Sequence, residues 1–165
     1  MSAAAQPSQV QIRLATRADI PTIVAIVNRA FQVEAFFLMH DRTNEENVTE
    51  MFEKGAYLLA ERDGQVLGTV YFEKHEERAY FGMLSVEPEL KGQGIGRILI
   101  DAVEDHARKQ GCVAMDITVV NLRTELPPFY RRFGYEITGE LPPPERMRSR
   151  IPCHLIKMSK NLKQD

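Results

Sequence analysis

Three glycines at alternating positions, Gly92, Gly94 and Gly96, lie between a β-rich segment ending at Val86 and a run of apolar residues at helical spacing from Ile95 onward. A strand, turn and helix of this kind can hold a diphosphate. Its anionic oxygens are best matched by consecutive backbone N–H groups at a helix start, where the peptide dipoles also favour negative charge. Glycine removes the Cβ atoms that keep a phosphate off the main chain, and it permits positive φ. Lys91 and Arg97 add positive charge at the rim, and Gln93 and Ile95 complete the segment. A dinucleotide fingerprint requires Gly-x-Gly-x-x-Gly directly after a strand, whereas here Glu87-Pro88-Glu89-Leu90 intervenes and the third glycine comes one residue early. No Gly-Lys-Ser/Thr ending follows, which argues against a Walker loop.

The surrounding elements follow from periodicity. Val10 to Leu14 alternates apolar and polar and reads as a strand. Thr16 and Asp19 then cap a helix that tolerates Pro21 in its first turn and buries Ile20, Ile23, Val24, Val27 and Phe31. An aromatic segment, Glu34 to Thr43, precedes a second helix over Glu45 to Lys54. Ala56 to Glu61, Val66 to Glu73 and Ala79 to Val86 read as an antiparallel meander with turns at Asp63-Gly64 and at the charged tip His75 to Arg78. After the glycines a long helix runs to Gly111. The strand Val113 to Val120 follows this crossover and should lie parallel to the strand before it. A short helix from Pro127 to Phe133 and two strands, Tyr135 to Thr138 and Cys153 to Met158, close the chain. The fold class is α/β (α+β): a mixed, mostly antiparallel sheet of six to seven strands with a central parallel pair, flanked by about four helices.

A chain of 165 residues supports one core, expected over residues 10–160 between a disordered tail at 1–9 and a short C-terminal tail at 161–165. With 23 acidic and 21 basic residues and no charge blocks, nucleic acid is not indicated as a partner. No apolar run is long enough to span a membrane and no leader pattern is present, so a cytoplasmic location is expected. Cys112 and Cys153 sit beside apolar residues without metal-ligand spacing, which predicts packed thiols and no metal.

Leu84-Ser85-Val86-Glu87-Pro88-Glu89-Leu90-Lys91-Gly92-Gln93-Gly94-Ile95-Gly96 resembles motif A of the GCN5-related N-acetyltransferases, or GNAT family, with Lys91 where Arg or Gln is usual. The resemblance extends from Val10 to Met158. It implies an N-acetyltransferase that takes acetyl-CoA as cosubstrate and hands the acetyl group directly to the primary amine of a small molecule or amino acid, with no metal. A protein or peptide acceptor is the alternative, as is a non-catalytic acyl-CoA sensor. The resemblance further implies that the parallel pair splays, that the main chain of Leu84, Ser85 and Val86 meets the pantetheine arm, and that Asn121 contacts the cofactor. It also implies that homodimers are frequent.

Phe129 to Tyr135 resembles motif B of the same family, which makes Tyr130 the expected general acid. A phenol suits protonation of a departing thiolate. The general base is less defined by sequence: Glu73 and Asp116 are the candidates on strands bordering the crevice, with His40 and His154 as further possibilities. Acceptor choice should fall to Glu34 to Thr43, through Phe36, Phe37 and His40, and to Leu141 to Ile151 with Arg146, Arg148 and Arg150.

Overall fold

The first hairpin turn explains why the strands form where they do. Asp63 and Gly64 both have positive φ, 53° and 77°, which is the turn whose twist matches a pair of right-twisted strands. In the computed structural model, which describes residues 9–163, this turn joins β2 (Ala56–Arg62) to β3 (Gln65–His75). A second tip, with Glu76 at φ 58°, leads into β4 (Arg78–Val86). With β1 (Gln11–Leu14), β5 (Ala114–Val120), β6 (Glu136–Leu141) and β7 (Leu155–Asn161) they make one seven-stranded sheet in the order β1-β2-β3-β4-β5-β7-β6. Only β4 and β5 run parallel.

Four helices cover the two faces. Helix α1 (Ile20–Ala30) packs with α2 (Glu45–Lys54) over Tyr57, Leu59 and Tyr71. The entry to α1 is held by Asp19, whose carboxylate accepts from the Thr16 N–H at 2.7 Å and pairs with Arg13 at 2.8 Å. The Arg13 bond, reinforced by Thr16, brings the Asp19 carboxyl down to about 2 against the cost of burial. On the other face α3 (Ile95–Lys109) lies over Leu58, Val70 and Phe81, beside α4 (Leu126–Arg131). Here the buried Glu104 accepts from the Tyr135 hydroxyl at 2.8 Å and from Lys160 Nζ at 2.9 Å, tying α3 to β7 and to the residue before β6.

The last two strands differ from the sequence expectation. β6 extends three residues beyond Thr138 and β7 starts at Leu155 rather than Cys153, because their pairing runs from Glu136 with Ser159 to Leu141 with Leu155. The domain also reaches past residue 160. Leu162 is buried in the α3-side core and its N–H bonds to the Val113 carbonyl at 2.8 Å, so the expected C-terminal tail begins later than 161. Most of the expected tail at 1–9 lies outside the described residues. Among the described residues no helix is long and apolar enough to cross a membrane.

Two substitutions test this framework. Tyr135→Phe keeps the ring but removes a donor from a buried carboxylate, so it should cost about 1.5–3 kcal/mol and lower Tm by several degrees, read by calorimetry. Asp19→Asn addresses the pH dependence. A carboxyl held below its ordinary value stabilises the fold above that value and loses the contribution as it protonates. The parent should therefore exceed the variant by about 1–2 kcal/mol at pH 7, and this gap should shrink as pH falls from about 4 toward 2. Denaturation midpoints with a pH-independent gap would contradict it.

Candidate active site

β4 and β5 are hydrogen-bonded only where Arg78, Ala79 and Tyr80 face Ala114, Met115 and Asp116. Beyond that point β4 continues six residues and β5 four, but they no longer pair with each other. Past the parting, β4 carries a bulge. Thr69 faces Ser85 while Tyr71 faces Gly82, which leaves Met83 and Leu84 opposite Val70 alone. Met83 takes φ 54°, unusual for a side chain without local hydrogen-bonding capacity, and the Ser85 hydroxyl donates to its carbonyl at 2.9 Å.

On one side of the parted strands lies a cavity of about 520 Å³, lined by Leu84, Val86 and the turn from Leu90 to Arg97. Gly92 and Gly94 have φ 84° and 82°, and a Cβ built on either would project into open space rather than onto protein. Gly94 is the N-cap of α3, and the first helical bond runs from the Ile98 N–H to the Gly94 carbonyl at 3.1 Å. The N–H groups of Ile95, Gly96 and Arg97 therefore lack intrahelical partners. Glu87 anchors the turn: its carboxylate pairs with Arg29 at the end of α1, and its N–H bonds to the Leu67 carbonyl at 2.9 Å. The shape and donor set suit a long ligand with a diphosphate at one end.

On the opposite side a smaller cavity, about 170 Å³, is lined by Tyr80, Phe81, Met83, Thr118, Arg42 and Glu34, among others. Phe31, Leu84, Arg123, Leu126 and Tyr130 border both cavities, so the two meet there. Tyr130 projects from α4 and its ring is buried among Phe81, Phe129 and Tyr135, at centroid distances of 6.0, 5.0 and 6.0 Å. Burial pushes its phenol above the ordinary tyrosine value, so it carries its proton at neutral pH.

Lys91, Gly92, Gly94, Ile95, Gly96, Arg97, Leu84 and Val86 all line the larger cavity. Ser85 is buried with its hydroxyl turned to the bulge, and Gln93 stays exposed at the turn. Asn121 lies elsewhere. Its side-chain oxygen accepts from the His154 N–H at 2.9 Å and its own N–H bonds back to the His154 carbonyl, which makes it a clamp from the end of β5 to the start of β7 rather than a lining residue.

Neither expected base candidate reaches the crevice. Asp116 sits where the strands are still paired, bonded to Arg78 at 2.8 Å and to Ser159 at 2.6 Å; burial raises its carboxyl, and these bonds more than offset that to leave it below the ordinary value. Glu73 is held on the α2 side by the Tyr71 hydroxyl at 2.7 Å and His75 at 3.1 Å. His154 lies near Glu140 at 3.7 Å. His40 Nε2 accepts from the Arg148 N–H at 3.1 Å while Nδ1 faces the Asp41 carbonyl at 2.8 Å, so the ring serves as a strut between loops.

The aromatic segment also divides. Phe37 is fully buried against Leu38 and Val120 and cannot meet an acceptor, while Phe36 is 53% exposed and packs edge-on against it. Neither lines the crevice. Arg146 pairs with Glu50 at 3.0 Å on the surface, and among the expected arginines none lines either central cavity. The two irregular segments instead bond to each other: Leu38 bridges Ser149, the Met39 N–H bonds to the Arg148 carbonyl at 2.9 Å, and the Arg150 N–H to the Phe37 carbonyl at 2.8 Å. The two segments are thus bonded into a roof beside the smaller cavity, which Pro144 and Met147 help to line.

Sequence reading missed Glu34, Arg123, Tyr80 and the bulge at Met83. Gly82 inside a strand was the available signal for the bulge. It also admits the Tyr80 ring, since a Cβ there would lie 2.5 Å from the phenol oxygen.

Residues 21–135 match the model of the acetyltransferase (GNAT) family. The ribosomal-protein-S18-alanine N-acetyltransferase from Escherichia coli superposes with a TM-score of 0.76 at 16% identity, over 95% of this chain and 96% of that one. Ribosomal-protein-alanine N-acetyltransferase from Brucella melitensis gives 0.74 at 24% identity, over 92% and 99%. For yncA from Salmonella typhimurium, solved with its cofactor acetyl-CoA, the values are 0.70 and 22%, over 94% and 95%. These likenesses establish the shared fold. The family match runs from the first helix to Tyr135, the residue before β6, taking in both of the parted strands, and the chain belongs to the acetyltransferase (GNAT) family.

Proposed function

We infer that this chain transfers an acetyl group from acetyl-CoA directly to a primary amine of a small molecule or amino acid. The carrying observation is that two cavities, one shaped for the donor and one for an acceptor, meet at Leu84 and Tyr130 between parted strands. A sensor needs only the first cavity. Bound acetyl-CoA would supply the thioester. Main-chain N–H groups at the start of α3 would hold its diphosphate, and β4 at Leu84 to Val86 would align its arm.

In the transfer the acceptor's ammonium first gives one proton to solvent water; the neutral nitrogen then bonds to the acetyl carbon and the carbon–sulfur bond breaks. Tyr130 gives its proton to the departing sulfur and is reprotonated, through solvent, by the proton the nitrogen loses. Burial raises the phenol, so Tyr130 keeps its proton until a more basic group develops beside it. The small volume of the acceptor side favours a compact amine over a polypeptide, although two of the similar structures carry ribosomal-protein names.

Tyr130→Phe retains the ring packing, and its kcat should fall by about 10²–10⁴ with Tm nearly unchanged. A rate within about threefold of the parent removes Tyr130 as the acid. For Gly94→Ala, the methyl group enters the space assigned to phosphate and left-handed backbone adds about 1–2 kcal/mol of strain. Calorimetric titration should then show acetyl-CoA binding weakened at least about tenfold in a protein that still folds. Unchanged affinity would move the diphosphate away from this turn.

A further inference from the structure

Glu34 is 3% exposed, and its Oε1 is the one buried side-chain polar atom without a hydrogen-bond partner among the described residues. Its other oxygen accepts from Arg123 Nη1 at 2.8 Å. Arg123 is shared, because its Nε also donates to Glu125 at 2.5 Å. Glu125 is exposed, but it takes part of the Arg123 guanidinium, so the buried Glu34 does not have that cation to itself. A buried carboxylate oxygen with no donor is costly, and a bound group that supplies one is among the reasons such an atom is retained.

Glu34 and Arg42 line the same small cavity. Arg42 stacks over Phe31, its guanidinium carbon 5.1 Å from the ring centroid, and makes no ion pair among the described residues. The residues lining the cavity thus include a carboxylate with one oxygen short of a donor and a guanidinium without an ion-pair partner among the described residues. Tyr80, Thr118 and apolar side chains such as Phe81, Met147 and Leu155 fill the rest of the wall. A ligand with an ammonium, a carboxylate and little net charge satisfies both ends.

We propose that this cavity binds the acceptor as a free α-amino acid, with Glu34 Oε1 receiving its ammonium group and Arg42 its carboxylate. This rests on the transferase reading above and adds the class of substrate. It also separates a free amino acid from a polypeptide N-terminus, which has an amide where Arg42 requires a carboxylate.

The test follows free thiol release from acetyl-CoA with paired acceptors: L-alanine and ethylamine, L-methionine and 3-(methylthio)propylamine, L-phenylalanine and phenethylamine. The parent should prefer at least one amino acid over its decarboxylated partner by tenfold or more in kcat/KM. Arg42→Met should erase that preference while leaving acetyl-CoA affinity within about twofold. Glu34→Gln keeps an oxygen for Arg123 but places an uncharged group in the cavity, so KM for both members of a pair should rise at least tenfold. If it proves unfolded by calorimetry, the Arg42 variant decides. Equal rates for amino acid and amine in the parent, or a preference that survives Arg42→Met, overturn the amino-acid site and leave the transferase intact. Acetyl-CoA binding with no thiol release for any acceptor overturns the transferase reading and this inference with it.

Discussion

An open edge in the middle of a sheet is the constraint on which the rest of this molecule depends. Strand edges normally lie at the rim, where water satisfies their peptide groups. Here β4 and β5 release each other after three residue pairs, while β3 and β7 still hold their outer sides. Within the parted stretch β4 carries an extra residue at Met83, and its pairing with β3 continues on both sides of that bulge. Side chains then have to wall the gap without filling it. Tyr130 and Leu126 come from α4, Phe31 from the end of α1, and Leu84 from the bulge itself.

Charge is distributed to suit that gap. Carboxylates whose role is to hold the framework are completely engaged: Asp19 by Arg13 and Thr16, Asp116 by Arg78 and Ser159, Glu104 by Tyr135 and Lys160. Glu87 keeps the glycine turn at a fixed distance from α1 through Arg29. Against this background Glu34 stands out because one of its oxygens is left over. Paired groups explain the scaffold, and the unpaired one marks where chemistry has been left room.

Much of this was legible in sequence wherever local rules decide the outcome. Period-two and helical patterns placed all seven strands and four helices, and Asp63-Gly64 and Gly111 announced their positive-φ positions. The glycine turn is legible because positive-φ backbone leaves a local signature, whereas the expectation for Tyr130 rests on the resemblance of Phe129 to Tyr135 to a family motif. What escaped depends on contacts distant in sequence. Glu34 and Arg123 are 89 residues apart, and nothing near either one announces the pair. Asp116 and Glu73 misled for the same reason: a carboxylate on a strand is exposed to reagents or neutralised by a neighbour according to a register the sequence does not print. Asn121 looked like a ligand contact and is a strand clamp, since strand ends reward both uses of an amide.

The roof joining Leu38 to Ser149 has a consequence for timing. Its two segments are 111 positions apart along the chain and are held by a few main-chain bonds and the His40 ring, each of modest strength. An acceptor entering from that side, and an acetylated product leaving by it, must wait for those bonds to break and re-form. Loop openings of this kind run on microsecond to millisecond scales and often set the pace of a turnover. The clock of this protein would then sit in its loops, well away from the strands where the acyl group changes hands.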